Sequence, residues 1–198
     1  MKLINYRYYN WGPFLYSSRI TPDCLTKILE ICNKAKDSYA HNLAGQLNQE
    51  LELPALEILN ILNPYFGSYV QCGEETKLLT KLPLMTMQSA WVNYMTAGDF
   101  NPPHNHDGVL SFVVFLKVPD GLKKENEEFK GKSIGPGGIE FRIALGHQEG
   151  IYSIDTNQFF PEEGDLFIFP AHLEHWVYPF KAKGTRISVS GNLGKKNI

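Results

Sequence analysis

Cysteine is scarce in this sequence, and so are long apolar runs and any large excess of charge. The 198 residues include three cysteines, Cys24, Cys32 and Cys72, and so small and odd a number argues against a disulfide framework. No apolar run approaches the roughly 20 residues of a membrane-spanning helix, and the N-terminal MKLINYRYYNWG lacks the apolar core of a signal peptide. We therefore expect a reduced, intracellular and cytoplasmic protein.

The charge balance excludes some classes of partner, and the aromatic content points to β structure. Nineteen basic and 21 acidic residues give a net charge of -2, which provides no basis for binding nucleic acid or an anionic membrane. Aromatic residues reach 13%, with ten tyrosines and twelve phenylalanines, and such residues are enriched in strands. The sequence leaves the oligomeric state open, although a homodimer is compatible with it.

The first part of the chain, residues 1–80, is predicted to be mainly helical. TPDCLTKILEICNKAKDSY begins with Thr21 as a capping residue and Pro22 at the first helical position, followed by apolar residues at helical spacing. PALEILNILNPYFGSYVQ predicts a second helix, which Pro64 is expected to end or kink.

The second part, residues 81–198, is predicted to be a β core. Short runs rich in aromatic and β-branched residues are separated by Gly, Pro and Asp: LMTMQSAWVNYMTAG, GVLSFVVFLKVP, GGIEFRIAL, GIYSID, GDLFIFP, HWVYPF and TRISVSGNL. A charged segment at 120–138 is expected to be a mobile loop. The pattern predicts one α+β domain over residues 1–198, with a β-sandwich or barrel as its functional part.

Two histidines in the stretch PPHNHDG are candidate metal ligands. His104 and His106 would share one face of a strand because strand side chains alternate. A third ligand is expected from GDLFIFPAHLEHWVYPF, where His175 is preferred because it directly precedes the apolar start of a new strand. His172 remains the alternative to His175. Imidazoles suit Fe, Zn, Cu and Ni, and three protein ligands with open positions indicate a catalytic site.

The remaining histidines, His41 and His147, lack such a context and are predicted to lie on the surface. Two tryptophans, Trp91 and Trp176, are predicted to be packing residues.

Three stretches together resemble a known family of enzymes. GDFNPPHNHDGVLSFVVFLKVP, GDLFIFPAHLEHWVYPF and TRISVSGN are similar to the double-stranded β-helix of iron(II)- and 2-oxoglutarate-dependent oxygenases, over roughly residues 85–195. The nearest likeness is to a branch from bacteria and from tailed phages of marine cyanobacteria, distantly similar to prolyl hydroxylases. The resemblance implies a jelly-roll or cupin-like barrel with N-terminal helices packed on it. It also implies Fe(II), 2-oxoglutarate and dioxygen as reaction partners, and hydroxylation of a substrate that the sequence does not identify.

The resemblance also assigns roles to individual residues. His104 matches the family's first histidine ligand and His175 its distal one, while Arg186 matches the arginine that binds the far carboxylate of 2-oxoglutarate. Ser188 is similar to a serine that contacts the same carboxylate.

Asn93 and Ser111 resemble polar positions near the co-substrate. Four phenylalanines are candidates for apolar walls that exclude water from the site: Phe112, Phe115, Phe167 and Phe169.

The sequence departs from the family at one ligand. The usual carboxylate is replaced by His106, and Asp107 is expected to point away from the metal because strand side chains alternate. Either three histidines bind the metal, which we favour, or two ligands remain.

Two other interpretations stay open. The spacing of the glycines and histidines is also similar to that of the cupins, which would imply a metalloprotein without 2-oxoglutarate. A barrel that has lost activity and serves as a binding module is the third interpretation.

Overall fold

The computed structural model describes residues 4–10, 14–79, 82–143 and 156–196. These residues form eleven strands and three α-helices. In chain order they are β1 (Tyr6–Asn10), β2 (Phe14–Arg19), α1 (Pro22–Cys32), β3 (Gln49–Glu52), α2 (Ala55–Glu75), β4 (Met85–Met95), β5 (Asn101–His104), β6 (Leu110–Lys117), α3 (Asp120–Glu127), β7 (Ile139–Arg142), β8 (Thr156–Phe159), β9 (Asp165–Pro170), β10 (Glu174–Val177) and β11 (Arg186–Lys195). None of the helices in these ranges combines the length and the apolar character that crossing a membrane would require.

The strands form two antiparallel sheets. The larger sheet has seven strands in the order β1-β2-β9-β6-β11-β4-β3, and the smaller has four in the order β5-β10-β7-β8. Strands distant in sequence are neighbours in both sheets, as when β11 lies between β4 and β6. This arrangement brings His104 of β5, His175 of β10 and Arg186 of β11 to one cavity.

The seven-stranded sheet buries both of its faces. Along β6, Phe112 and Val114 pack on the side of α1 and α2, while Val113 and Phe115 pack towards the four-stranded sheet. This division follows from the alternation of side chains along a strand. The core between the two sheets is rich in phenylalanine, and the candidate site opens within it.

The two predicted helices are confirmed, and Pro64 does not end the second one. α1 begins at Pro22, and the Thr21 hydroxyl accepts a hydrogen bond from the backbone N–H of Cys24 at 3.3 Å, as expected of a cap. α2 continues past Pro64 to Glu75, so the proline does not end this helix. Packing of α2 against the sheet outweighs the hydrogen bond that the proline removes.

The prediction of a mainly helical first part was wrong for three segments. β1 and β2 form a hairpin, and β2 extends the large sheet by pairing with β9. β3 pairs with β4 and closes the other edge of that sheet. The partner of β2 lies more than a hundred residues away and that of β3 lies beyond α2, and a local pattern does not reveal such pairings.

The charged segment 120–138 is not a plain loop. It contains α3, whose Leu122 is buried in the core between the sheets. The predicted strand GIYSID, residues 150–155, and the predicted surface residue His147 lie outside the described residues.

Candidate functional site

Three histidines meet at the edge of the four-stranded sheet, where β5 pairs with β10. In the β5–β10 pair, His104 lies directly opposite His175. His106 follows β5 by two residues and is fixed by its backbone N–H, which donates to the Ala171 carbonyl at 2.8 Å. The ligand atoms of the three imidazoles all lie within 4.8 Å of one another. This separation allows all three to bind one ion.

Backbone carbonyls orient two of the three rings. His104 Nδ1 lies 2.7 Å from the Pro102 carbonyl oxygen, and His175 Nδ1 lies 2.9 Å from that of Leu173. A carbonyl only accepts, so Nδ1 carries the proton in each ring and Nε2 presents its lone pair. Such hydrogen bonds on the remote nitrogen are the usual support for a metal-binding imidazole.

Burial keeps the three imidazoles neutral. Loss of water lowers the pKa of His104, and it lowers the pKa of His106 to about 4, with repulsion from His104 as a second cause. The pKa of His175 is lowered well below its usual value, first by burial and then by the other two rings. Neutral imidazole is the form that binds metal, so at neutral pH the cluster is ready for an ion.

The competing candidates lie apart from this cluster. His172 is exposed in the turn after β9, and Asp107 is exposed beside His106. His41 is exposed and contacts Asn42. The structure therefore brings together His104, His106 and His175 and leaves His172 and Asp107 facing outwards.

The histidines line a cavity of about 170 Å³ between the two sheets. Its wall comes from the segment before β3 and from β3 to β7, β9, β10 and β11. Its polar lining includes Glu50, Asn93, Asn101, Arg186 and Ser188 besides the three imidazoles.

Arg186 is a buried cation without an anionic partner in the described part of the chain. Arg186 is only 2% exposed, and burial lowers the pKa of its guanidinium to about 9. Nη1 donates to the Gly137 carbonyl at 2.8 Å and Nη2 contacts Met95 Sδ at 2.7 Å, whereas the buried Nε has no partner. A guanidinium buried in this way is strongly unfavourable until an anion pairs with it.

Two of the other predicted polar residues lie beside Arg186, and one does not. Asn93 and Ser188 are opposite each other on β4 and β11, and Asn93 Nδ2 approaches Ser188 Oγ at 3.5 Å and Ser190 Oγ at 3.3 Å. Ser111 is fully buried on β6, donates to Asn192 Oδ1 at 2.7 Å and does not line the cavity. Its hydroxyl thus joins two strands, because β6 and β11 place it opposite Asn192.

Aromatic side chains form much of the apolar wall. Three of the four predicted residues belong to the cavity lining, Phe112, Phe115 and Phe169, although the ring of Phe112 packs on Phe66, on the helix-facing side of the large sheet. Phe167 packs behind them, against Phe115 and Phe141.

Of the two tryptophans predicted to be packing residues, Trp91 also lines the cavity, with its ring centre 5.6 Å from that of His106. Trp176 packs under the guanidinium of Arg142, at 4.8 Å.

Sequence reasoning missed Glu50, whose carboxylate belongs to the cavity lining. The residue is 3% exposed, and burial raises its pKa to about 7. The stretch ELEL alternates acidic and apolar residues, so the sequence itself gives no sign that Glu50 is buried. Its position follows from the pairing of β3 with β4, which places Glu50 opposite Asn93 and which the sequence does not show.

Comparison with known proteins relates this geometry to a family. A family described as "Putative 2OG-Fe(II) oxygenase" matches residues 89–192, a span that contains the three histidines and Arg186. A search of curated protein sequences returns no match.

Similar solved structures share the fold at low sequence identity. A prolyl-4-hydroxylase from Pseudomonas putida is 13% identical, with a TM-score of 0.56 over 97% of this chain and 93% of that one. A viral collagen prolyl hydroxylase from Paramecium Bursaria Chlorella virus-1, in complex with 2-oxoglutarate, is 11% identical, with a TM-score of 0.52 over 95% and 94%.

A third structure is HygX from Streptomyces hygroscopicus with nickel, 2-oxoglutarate and hygromycin B bound. It is 8% identical, with a TM-score of 0.56 over 93% of this chain and 83% of that one. At these identities the likeness concerns the fold, whereas the family match spans about half of the chain, including its candidate ligands. The chain therefore belongs to the 2-oxoglutarate- and Fe(II)-dependent oxygenases, as an enzyme that uses iron and 2-oxoglutarate.

Proposed function

We propose that this protein is a dioxygenase that hydroxylates its substrate, with His104, His106 and His175 as the iron ligands. The observation that carries the proposal is one cavity lined by three convergent imidazoles and a buried, unpaired arginine. An imidazole cluster alone would fit many metalloproteins. The arginine adds a requirement for an anionic ligand in the same cavity.

The donor set fits iron(II). Imidazole nitrogen is a suitable ligand for iron, and three protein ligands leave coordination positions for exogenous groups. His106 stands where the family has a carboxylate, so the three-histidine site carries one negative charge fewer. The neutral state of the rings, imposed by burial, agrees with their use as ligands.

Arg186 fits the far carboxylate of 2-oxoglutarate. Its guanidinium offers planar N–H donors in carboxylate geometry, and Nε is buried without a partner. Ser188 lies two residues along β11 on the same face and also lines the cavity. We assign Ser188 as a second contact of that carboxylate and Asn93 as the residue that orients the serine hydroxyl.

Ser111 does not fit a direct role with the co-substrate. Its hydroxyl is bonded to Asn192, and it lies outside the cavity lining. Its proposed part is to hold β6 against β11.

Bound iron and 2-oxoglutarate supply the oxidising chemistry through dioxygen, and the protein orients them and excludes competing reactions. Phe115 and Phe169 line the cavity and limit access of water to it. We also infer that the two sheets are the halves of a double-stranded β-helix, and that the whole chain is one domain. Support comes from the cavity between two antiparallel sheets and from the first 80 residues, which contribute three strands to the larger sheet.

The test measures binding and turnover separately. Calorimetry under nitrogen, with Zn(II) in place of iron, gives the affinity for 2-oxoglutarate. Succinate release under air with Fe(II) gives turnover. We expect Arg186→Met to weaken 2-oxoglutarate binding by at least about 100-fold, because a desolvated charge-assisted pair is lost.

Arg142→Met is the matched control, since Arg142 is exposed at the end of β7. It should leave the affinity for 2-oxoglutarate unchanged. Equal affinities in Arg186→Met and the wild type would refute the assignment of the arginine, and absence of metal binding by the wild type would refute the proposed function.

A further inference from the structure

Glu50 is an acidic side chain buried in the wall of the cavity. It lies on β3, at the edge of the large sheet, and pairs with Asn93 on β4, which in turn pairs with Ser188 on β11. A row of polar side chains thus crosses three neighbouring strands. Glu50 ends this row at the edge of the large sheet.

No basic side chain of the described chain forms an ion pair with Glu50. The ion pairs in those ranges join Arg19 with Glu162 and Asp165, Lys27 with Asp23, and Lys124 with Glu128. Arg186 lines the same cavity, yet it forms no ion pair with Glu50, and burial raises the pKa of the Glu50 carboxyl. A carboxylate held out of water without a partner costs free energy that a bound cation recovers.

The surroundings of Glu50 provide further acceptors and an aromatic ring. A side chain on Gly45 would place its first carbon 2.6 Å from both Glu50 Oε1 and Asn101 Oδ1, so these two oxygens converge above the glycine. Trp91, on the neighbouring strand, also lines the cavity. Converging oxygens beside an indole suit a group with several N–H donors and a positive charge.

We propose that Glu50 binds a cationic nitrogen group of the substrate, an ammonium or a guanidinium. This inference rests on the proposed function, because it names the class of substrate for the same cavity. The substrate is therefore a molecule with a basic nitrogen close to the carbon that is hydroxylated.

The opposite charges of Arg186 and Glu50 also explain how 2-oxoglutarate and the substrate each bind at the correct place in one cavity. Arg186 attracts the dianionic co-substrate, whereas Glu50 repels it. A cationic substrate group is attracted by Glu50 and repelled by Arg186. Charge complementarity of this kind selects the correct partner and penalises the wrong one.

The experiment uses small probes of similar size in place of the substrate. n-Butylammonium, n-butylguanidinium and the neutral 1-butanol are titrated by ligand-observed NMR into the protein at pH 8, where the Glu50 carboxylate is mostly ionised. Each titration is run with Zn(II) and 2-oxoglutarate under nitrogen and again without them. We expect the cationic probes to bind the wild type at least tenfold more tightly than 1-butanol.

Glu50→Gln should reduce cation binding at least tenfold and leave 1-butanol unaffected. Glu52→Gln is the matched control, because it removes the same charge from an exposed position of the same strand. It should bind the cations as the wild type does.

A measurement on the wild type does not depend on the variants folding. Intermolecular NOEs from n-butylguanidinium should reach the Trp91 indole. Their absence, equal binding of 1-butanol and the cations, or cation binding that survives Glu50→Gln would overturn the proposal.

The two proposals fail in different ways. Lack of binding by Zn(II) or 2-oxoglutarate counts against the dioxygenase. Cation binding that does not need Glu50, with or without metal, counts against the substrate class.

Discussion

At the scale of single residues, His106 is the proposed ligand that departs from the usual ligand set of the family. Its backbone N–H is bonded to Ala171, so the position of the ring is fixed by the loop after β5. A neutral imidazole there leaves the metal with its full double positive charge. Nitrogen donors favour Fe, Ni, Cu and Zn, while oxygen donors favour Mn and Mg.

We predict that His106→Asp shifts metal preference towards manganese. The ratio of Mn(II) to Ni(II) affinity should rise by about tenfold or more, because one nitrogen donor is replaced by an anionic oxygen. Competitive titration of the metal-free protein measures the ratio.

Asp107→Asn serves as the control, since Asp107 is exposed and outside the histidine cluster. It should leave the ratio unchanged. A ratio in His106→Asp equal to that of the wild type would mean that position 106 does not bind the ion.

At the scale of elements, α2 shows how packing overrides local preference. Pro64 lies in the middle of the helix, is exposed and cannot donate to the carbonyl four residues earlier. On the other face Ile58, Leu62 and Tyr65 are buried against the sheet. The helix therefore persists at the cost of one hydrogen bond.

We predict that Pro64→Ala stabilises the protein. The substitution restores the backbone hydrogen bond and introduces a better helix former. Together these changes should raise the free energy of unfolding by roughly 1 to 3 kcal/mol. Urea denaturation followed by circular dichroism gives the value. Asn63→Ala, at the exposed neighbouring position, should gain only about 0.5 kcal/mol from propensity. A gain in Pro64→Ala no larger than in Asn63→Ala would contradict the prediction.

The elements also show which parts of the fold were readable from the sequence. α1 could be predicted because Thr21 and Pro22 are local signals, and β6 and β9 because their apolar runs are long. β2 and β3 were missed because β2 pairs with β9 and β3 with β4, far along the chain, and β1 was missed although its partner is the neighbouring β2. A strand at the edge of a sheet has little local signature of its own.

The candidate site divides in the same way. His175 was predicted from the strand that it opens, and His104 and His106 from strand alternation. β5 ends at His104, however, and His106 is held beside it by the hydrogen bond from its backbone N–H to Ala171. Glu50 and the real position of Ser111 depend on which strands are neighbours and on which end of a strand faces the cavity. That information belongs to the tertiary structure.

At the scale of the whole molecule, α3 connects the segment once expected to be a mobile loop with the arginine of the site. The Glu125 carboxylate accepts hydrogen bonds from the backbone N–H groups of Lys181 and Ala182, at 2.9 and 2.7 Å. These residues lead into β11, which begins with Arg186. Gly137, whose carbonyl accepts from Arg186, packs closely on Leu122 of α3.

We predict that Glu125→Ala weakens binding of 2-oxoglutarate without removing any contact to it. The loss of the helix anchor should lower the affinity by about threefold, somewhat less than 1 kcal/mol. Calorimetry on the Zn(II)-loaded protein under nitrogen tests this. Glu127→Ala, on the exposed side of the same helix, is the control and should show no change. If Glu125→Ala bound 2-oxoglutarate as tightly as Glu127→Ala and the wild type, α3 would have no part in positioning Arg186.

The edge position of β3 has a consequence for how such a protein diversifies. This strand of four residues joins the large sheet through β4 alone, apart from a single bridge to Ser38. The three imidazoles and the guanidinium lie outside β3, so substitutions in this edge strand leave the proposed metal ligands and Arg186 unchanged. Substrate specificity and oxidation are thus encoded in separate segments of the chain. Replacing β3 by the matching strand of a related protein would transfer the specificity and leave the residues for oxidation unchanged.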